Sequence, residues 1–482
     1  MSNLATDAFQ NALALIRRWR AESPERPPQL TGSAPAVAGS ATGAPGGAAR
    51  SGAIASTGRL LEGGDITAVE LVDRALAAID ARNDELYAFV EILEVDARER
   101  AATLDRERSA GRVRSPLHGV PVSVKDLYAV RGATTRAGSL AYERRDDHDA
   151  EVVRRLRDAG AVVIGKTSTH EFAMGVTAPQ SRNPHDSNRI AGGSSSGAAI
   201  AVETGMGLAA LGTDTRGSIR IPAALCGVVG LKPTIGLIPL DGVVPLAWTL
   251  DHVGLMAPSV DDVATVFDAL VPAAATDRVA VPPVSSIRVG LPRAAWRDVE
   301  PAVESSIEAA LDALLATGVE LVDVARPSAI DLDNANLTSM VVSRCEAAAF
   351  HRNLDLDPVL YTRDVRSQLE AAEAATAQDY LDGQRLRGEL RDEMLQVFDD
   401  VDVLLLPTVP IVAPPVELAD QTPLVLSRNV AIWSFTGFPA LTVPCQPTAA
   451  GLPVGLQVVA APHAEAAVLA VARAVERGVN AR

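Results

Sequence analysis

Three stretches of the chain hold residue types that could do chemistry together. Two are small-residue loops, G-G-S-S-S-G at 192–197 and T-D-T-R-G-S at 213–218, which offer hydroxyls and uncrowded backbone N–H groups. Glycines let the main chain approach a reacting atom, so such loops can hold a nucleophile and cradle a developing anion. The same composition also makes plain turns. The third stretch is H-G-V-P-V-S-V-K-D at 118–126, where Val120, Val122 and Val124 alternate with other residues as in a half-buried strand that ends on Lys125. A lysine placed there either snorkels to the surface or is desolvated and acts as a base. A serine hydroxyl becomes a nucleophile when a neighbouring base takes its proton, and lysine serves as that base only when neutral. Since an unperturbed lysine titrates near ~10.4, burial must lower it for work near neutral pH.

The elements that must position these groups follow from the periodicity. Residues 198–211, between the two loops, are apolar and read as a buried helix running into a strand. Thr67 followed by Glu70 predicts a capping box at the start of a helix over 68–83, and a second helix is expected near 93–111. A helix over 151–160 leads into the apolar run 161–165, of the kind found in covered parallel strands. Residues 260–401 are mostly amphipathic helix with a strand at 287–291. Strands are expected at 403–407, 440–443 and 456–459, with a closing helix over 464–477. Helices alternating with short apolar runs predict an α/β domain, and no internal repeat is evident.

The chain divides into three parts. Residues 1–22 carry Leu4, Phe9, Leu13, Ile16 and Trp19 at near-helical spacing, so a short amphipathic helix is expected. Its apolar face packs on the protein's own body or serves as a homodimer contact. Residues 23–52 are rich in Pro, Gly, Ala and Ser and read as a linker, and 53–482 form the body. With 482 residues, a net charge of −16 and no long apolar run, the chain reads as a soluble globular protein. Neither a nucleic-acid surface nor a membrane partner is expected. The three cysteines, Cys226, Cys345 and Cys445, are too few and too scattered for a disulfide framework, and a reduced, cytoplasmic location is expected. No C-x-x-C or H-E-x-x-H pattern supports a metal site, and no cofactor is expected.

Taken together, the motifs resemble the amidase signature family of serine hydrolases. They are G-V-P-V-S-V-K-D at 119–126, N-P-H-D at 183–186, G-G-S-S-S-G at 192–197, G-T-D-T-R-G-S-I-R-I-P at 212–222, C-G-V-V-G-L-K-P-T at 226–234, W-T-L-D-H-V-G at 248–254 and G-L-P-V-G-L-Q at 451–457. The resemblance covers roughly residues 53–475 and implies one large α/β domain with a mixed central sheet covered by helices on both faces. It also implies a Ser, Ser, Lys triad: Ser218 as nucleophile, Ser194 as the relay serine joined to Gly193 by a cis peptide bond, and Lys125 as base. Ser194 is chosen over Ser195 and Ser196 because the family's spacing to the nucleophile matches it. The remaining two serines either bond Lys125 or cap the following helix, and capping is expected. Asp214 and Arg220 are read as a pair that fixes the loop. Backbone N–H groups of Thr215, Arg216, Gly217 and Ser218 are expected to form the oxyanion hole. Met174, Gly175, Cys345 and His351 are substrate-contact candidates, with Phe350 and Tyr361 beside them.

The chain departs from the commonest family pattern at Arg216, where most members have a second glycine; a position needing positive φ would be strained by arginine. The resemblance implies a cofactor-free enzyme that hydrolyses a small-molecule amide, or a related ester or carbamate. Two other readings stand beside it. One is the glutamine-hydrolysing subunit of a tRNA-dependent amidotransferase, and the other a non-catalytic member disabled at Arg216.

Overall fold

A computed structural model describes residues 4–22, 52–271 and 283–481. The expected linker therefore lies almost wholly outside the described residues. Among the described residues thirteen strands follow in chain order: β1 (Phe89–Ile92), β2 (Pro121–Lys125), β3 (Thr134–Thr135), β4 (Arg144–Arg145), β5 (Val162–Thr167), β6 (Ala209–Asp214), β7 (Val229–Lys232), β8 (His252–Ala257), β9 (Val289–Pro292), β10 (Leu321–Val324), β11 (Val403–Pro407), β12 (Ala440–Pro444) and β13 (Gly455–Ala460). Eleven of them form one mixed sheet in the order β1-β5-β2-β6-β8-β7-β12-β13-β11-β9-β10, while β3 and β4 pair separately.

Side-chain alternation sorts the sheet's residues to two helical layers. Val122, Val124, Val163, Ala209, Leu211, Leu405 and Val458 face helices that include Glu151–Asp158, Val260–Leu270, Pro301–Leu315 and Glu465–Asn480. Val162, Ile164, Ala210 and Met256 face the other way, against helices Ala68–Leu86, Glu94–Ser109 and Ser196–Glu203. Further along that second face, Leu404, Leu406 and Val459 meet helices Ala329–His351, Ala377–Asp400 and Ala431–Thr436. Both faces are thus covered.

Strand β2 is buried at all five positions, so the expected half-exposed strand is a central one. Its alternation separates two interiors: Val122 and Val124 enter the apolar layer, while Ser123 and Lys125 turn to the face where polar loops gather. β2 runs parallel to both β5 and β6, which brings Lys125, Thr167 and Asp214 to one end of the sheet. That is the end where open α/β sheets place their sites.

The Thr67–Glu70 capping box is present at the start of Ala68–Leu86. The N-terminal helix Leu4–Glu22 packs on the protein's own body, burying Phe9, Ala12, Leu13 and Ile16 against Met340, Val341, Ala371 and Ala372. Leu4, expected on its apolar face, is exposed. Arg17 and Arg20 add ion pairs to the buried Asp379, and Arg20 also pairs with Asp382. Among the described residues no helix is long and apolar enough to cross a membrane.

Candidate active site

Lys125 ends β2 fully buried, and its Nζ contacts three hydroxyls: Ser194 Oγ at 2.7 Å, Ser195 Oγ at 3.0 Å and Thr213 Oγ1 at 2.8 Å. Burial lowers the lysine to about 7, against the opposing pull of the Asp251 and Asp214 charges. The Gly193–Ser194 peptide bond is cis. Ser194 carbonyl accepts from His170 N–H at 3.1 Å, and Ser195 N–H reaches Ser218 carbonyl at 3.3 Å, so the two loops and the strand end converge. Among the described residues no hydrogen bond joins the Ser218 hydroxyl to Ser194.

Ser195 departs from the expected capping role. It stands at the N-cap position of Ser196–Glu203 but makes no side-chain cap bond there. Instead its hydroxyl donates to Thr213 carbonyl at 3.1 Å, which leaves it an acceptor toward Lys125. The close approach requires Gly212, where an added Cβ would lie 2.7 Å from Ser195 Oγ. Ser196 instead donates its hydroxyl to Gly192 carbonyl and, unlike Ser195, does not bond the lysine.

The 215–218 loop is held from beneath by Asp214. Its carboxylate pairs with Arg220 Nε and Nη2, each at 3.0 Å, and both side chains are sealed from solvent. Burial alone would raise Asp214, but the Arg220 charge and its hydrogen bonds hold it far below the usual carboxylate range. Asp214 also accepts from Gly217 N–H at 2.7 Å and Ile219 N–H at 3.2 Å. Gly217 was expected as an oxyanion donor, yet its N–H is turned away to this carboxylate. Among the described residues the N–H groups of Thr215, Arg216 and Ser218 donate to no protein acceptor, so three of the four expected donors are open.

Arg216 does not strain the loop: the positive φ falls on Gly217, at 115°. The arginine side chain leaves the loop and docks on helix Ala329–His351, donating from Nε to Ser339 Oγ at 3.0 Å and from Nη2 to Asn336 carbonyl and Oδ1 at 2.7 Å each. Thr215 is anchored by its hydroxyl on Asp251 Oδ1 at 2.6 Å, while Asp251 Oδ2 accepts from Leu246 and Ala247 N–H. Burial pushes Asp251 up to about 6 despite these bonds.

The substrate-contact candidates separate in space. Met174 is buried, and its carbonyl accepts from Arg344 Nη2 and Gln368 Nε2. Gly175 packs against the His170 ring, which a Cβ there would meet at 2.4 Å. His351 Nδ1 bonds Tyr361 hydroxyl at 2.8 Å, and its ring stands edge-on to Phe172 and Phe350. Burial lowers His351 to about 4, leaving it neutral. Cys345, proposed beside these residues, instead lies against the cluster formed with the N-terminal helix. Thr213 and Asp251 were missed from the sequence. Both lie in quoted motifs, but their contacts depend on which strands are neighbours. Among the described residues no three His, Cys, Asp or Glu side chains are arranged to hold a metal ion.

A family model described as Amidase matches residues 70–469. A protein named amidase from Pseudomonas putida is 39% identical over 416 residues, 81% of this chain and 88% of the relative. A glutamyl-tRNA(Gln) amidotransferase subunit from Chloroflexus aggregans is 34% identical over 463 residues, 86% of this chain and 94% of the relative. A solved structure, described as the crystal structure of amidase, superposes with a TM-score of 0.80 at 36% identity, covering 88% of this chain and 99% of that one.

Proposed function

Because the chain belongs to the amidase signature family, we propose that it is a stand-alone amidase that cleaves a small-molecule amide through an acyl-enzyme on Ser218. The observation that carries this reading is Lys125, buried, poised near neutrality and bonded to Ser194 in the loop that meets Ser218. Ser195 donates its proton to Thr213 carbonyl and so accepts from the amine. With Thr213 accepting as well, the lysine lone pair is left for the proton of Ser194.

In this mechanism Ser218 Oγ attacks the amide carbon while its proton passes through Ser194 to Lys125. The oxyanion is met by the N–H groups of Thr215, Arg216 and Ser218. Collapse breaks the C–N bond, and the leaving nitrogen takes a proton back from Lys125 through Ser194. Water then attacks the acyl ester by the same route, releasing the acid and restoring Ser218. Esters and carbamates, including urethanes, pass through a similar oxyanion and fall within the same chemistry. The open N–H groups and the unstrained Arg216 support activity over a disabled loop. The unpaired cysteines are consistent with action in the cytoplasm.

Replacing Ser218 with alanine is expected to cut turnover of an amide panel by roughly 10⁴-fold or more; an undiminished rate overturns the assignment. The similarity to a glutamyl-tRNA(Gln) amidotransferase component supports a second reading, glutamine hydrolysis within a complex. Copurification of two partner proteins with the tagged chain would favour it.

A further inference from the structure

Helix Ala329–His351 reaches the proposed oxyanion loop at two points. Arg216, whose N–H is one of the open donors, docks directly on Asn336 and Ser339. About two turns beyond Ser339, ~10 Å along the axis and on the same face, stands Glu346, which the mechanism does not use. Glu346 is 1% exposed. Its carboxylate accepts four hydrogen bonds, all from neutral groups. Two come from helix Ala377–Asp400, Tyr380 hydroxyl at 2.9 Å and Gln384 Nε2 at 3.4 Å. The other two come from Thr249, in the turn before β8, through its N–H at 3.0 Å and its hydroxyl at 2.5 Å. Gln384 Nε2 also donates to that hydroxyl at 3.2 Å.

The turn carries this hold onward. Ala247 carbonyl accepts from Leu250 N–H at 2.9 Å and Asp251 N–H at 2.8 Å. Asp251 Oδ2 accepts from Leu246 and Ala247 N–H, so residues 246–251 close on themselves and move as one piece. At the far corner, Asp251 Oδ1 takes the Thr215 hydroxyl at 2.6 Å. Thr215 N–H is another of the open donors. Glu346 therefore grips one corner of the turn, and Thr215 is fixed to the other. Burial and, in addition, the Glu346 charge push Asp251 up, so the two carboxylates sense each other across this turn. The helix itself is a firm support, because Met340 and Val341 pack against Phe9, Leu13 and Ile16 of the N-terminal helix. Burying a carboxylate is costly unless its lone pairs are met, and half of the bonds that meet them here come from the turn.

We propose that Glu346 is a positioning residue for the reaction at Ser218: through Thr249 and Asp251 it fixes the Thr215 N–H that receives the oxyanion. This rests on the reading of Ser218 as an amide-hydrolysing nucleophile and adds a residue of helix Ala329–His351 to the machinery. The same helix then sets two of the three open donors, Arg216 directly and Thr215 through the turn.

The test replaces Glu346 with glutamine in the full chain. Glutamine keeps one acceptor oxygen but turns an amide donor toward either the Thr249 N–H or its hydroxyl, so the turn must shift. Hydrogen–deuterium exchange is expected to quicken in peptides covering 246–252 and 213–219; unchanged exchange at 213–219 overturns the proposal. With 3-phenylpropionamide, kcat is expected to fall roughly 2- to 30-fold at unchanged KM, short of the roughly 100-fold that losing a donor outright costs. Plateau labelling of Ser218 by a fluorophosphonate is expected to slow by a similar factor, with its pH midpoint where the wild type has it. A loss that falls on KM, or a displaced midpoint, would place the effect on substrate binding or on Lys125 and overturn the proposal. Thr249→Val removes only the hydroxyl, and it carries the same expectations at smaller size should Glu346→Gln fail to fold. Wild-type kinetics and labelling in both variants would sink the positioning role and leave the amidase reading intact. Absence of labelling and hydrolysis in the wild-type chain would sink the amidase reading. The exchange at 213–219 then decides by itself: faster exchange in the variants upholds the coupling of Glu346 to Thr215, and unchanged exchange overturns it.

Discussion

At the scale of single residues, Lys125 is governed by two opposed influences. Burial disfavours the charged amine and lowers it to about 7, while Asp251 and Asp214 pull the other way. Since the mechanism needs the neutral form, kcat/KM is expected to rise with pH through a midpoint near 7 and level off above it. A profile between pH 5 and 9 checks this, and a limb falling with pH contradicts it. Asp251→Asn removes one of the charges that hold the lysine up, so the limb is expected to move to lower pH. The rate at the plateau is also expected to fall as Thr215 loses its anchor, by less than the roughly 100-fold that outright loss of an oxyanion donor costs. An unmoved limb would show that Asp251 acts on the loop alone. Residue type and spacing, together with the family resemblance, singled out Lys125, Ser194 and Ser218, and the strand end and two loops that carry them do converge. Thr213 and Asp251 were not, because a hydroxyl or carboxylate acquires its role from neighbours that only the strand order supplies.

At the scale of elements, the loop after β6 depends on Gly217. Its φ of 115° is disfavoured for any side chain, and an added Cβ would lie 2.3 Å from Val430 Cγ2. Gly217→Ala is therefore expected to destabilise the fold by about 2 kcal/mol or more and to cut activity sharply, measurable by urea unfolding and amide turnover. Wild-type stability would mean that the loop relaxes freely. The sequence located β11 without error and β5, β9, β12 and β13 to within a residue or two. It did not single out β1, β7, β8 or β10 as strands, since Glu91, Lys232, His252 and Asp323 leave these segments without the continuous apolar run that marks β11. The reading of β2 as half-buried failed for a related reason. Alternation of valine with serine and lysine looks amphipathic, but here the second face is an enclosed polar site.

For the whole molecule, the N-terminal helix is joined to the body across 362 positions of sequence by Arg17 on Asp379 and Arg20 on Asp382. Although burial raises Asp379, hydrogen bonds from Arg17, Thr376 and Arg20 hold it well below the usual carboxylate range. A carboxylate so depressed contributes stability that is present above its unfolded pKa, near ~4, and lost as pH falls through the folded value. Replacing Arg17 and Arg20 with alanine is expected to cost about 1–3 kcal/mol near pH 7, because Asp379 is left buried with only Thr376 to bond it. The gap from wild type should narrow below about pH 4, as read by unfolding at a series of pH values. A gap independent of pH would assign the effect to packing. The helix itself was legible from its apolar spacing, but its choice of the body over a second copy depended on acids more than 350 positions away.

The central claim is that Ser218 is activated by Lys125 in the isolated chain. Its most direct measurement is fluorophosphonate labelling of the purified protein, with the modified residue located by mass spectrometry and Lys125→Ala run alongside. The expected result is a single adduct on Ser218 that is lost, or slowed roughly 100-fold or more, without the lysine. An adduct elsewhere, or labelling of Ser218 that is indifferent to Lys125, would contradict it.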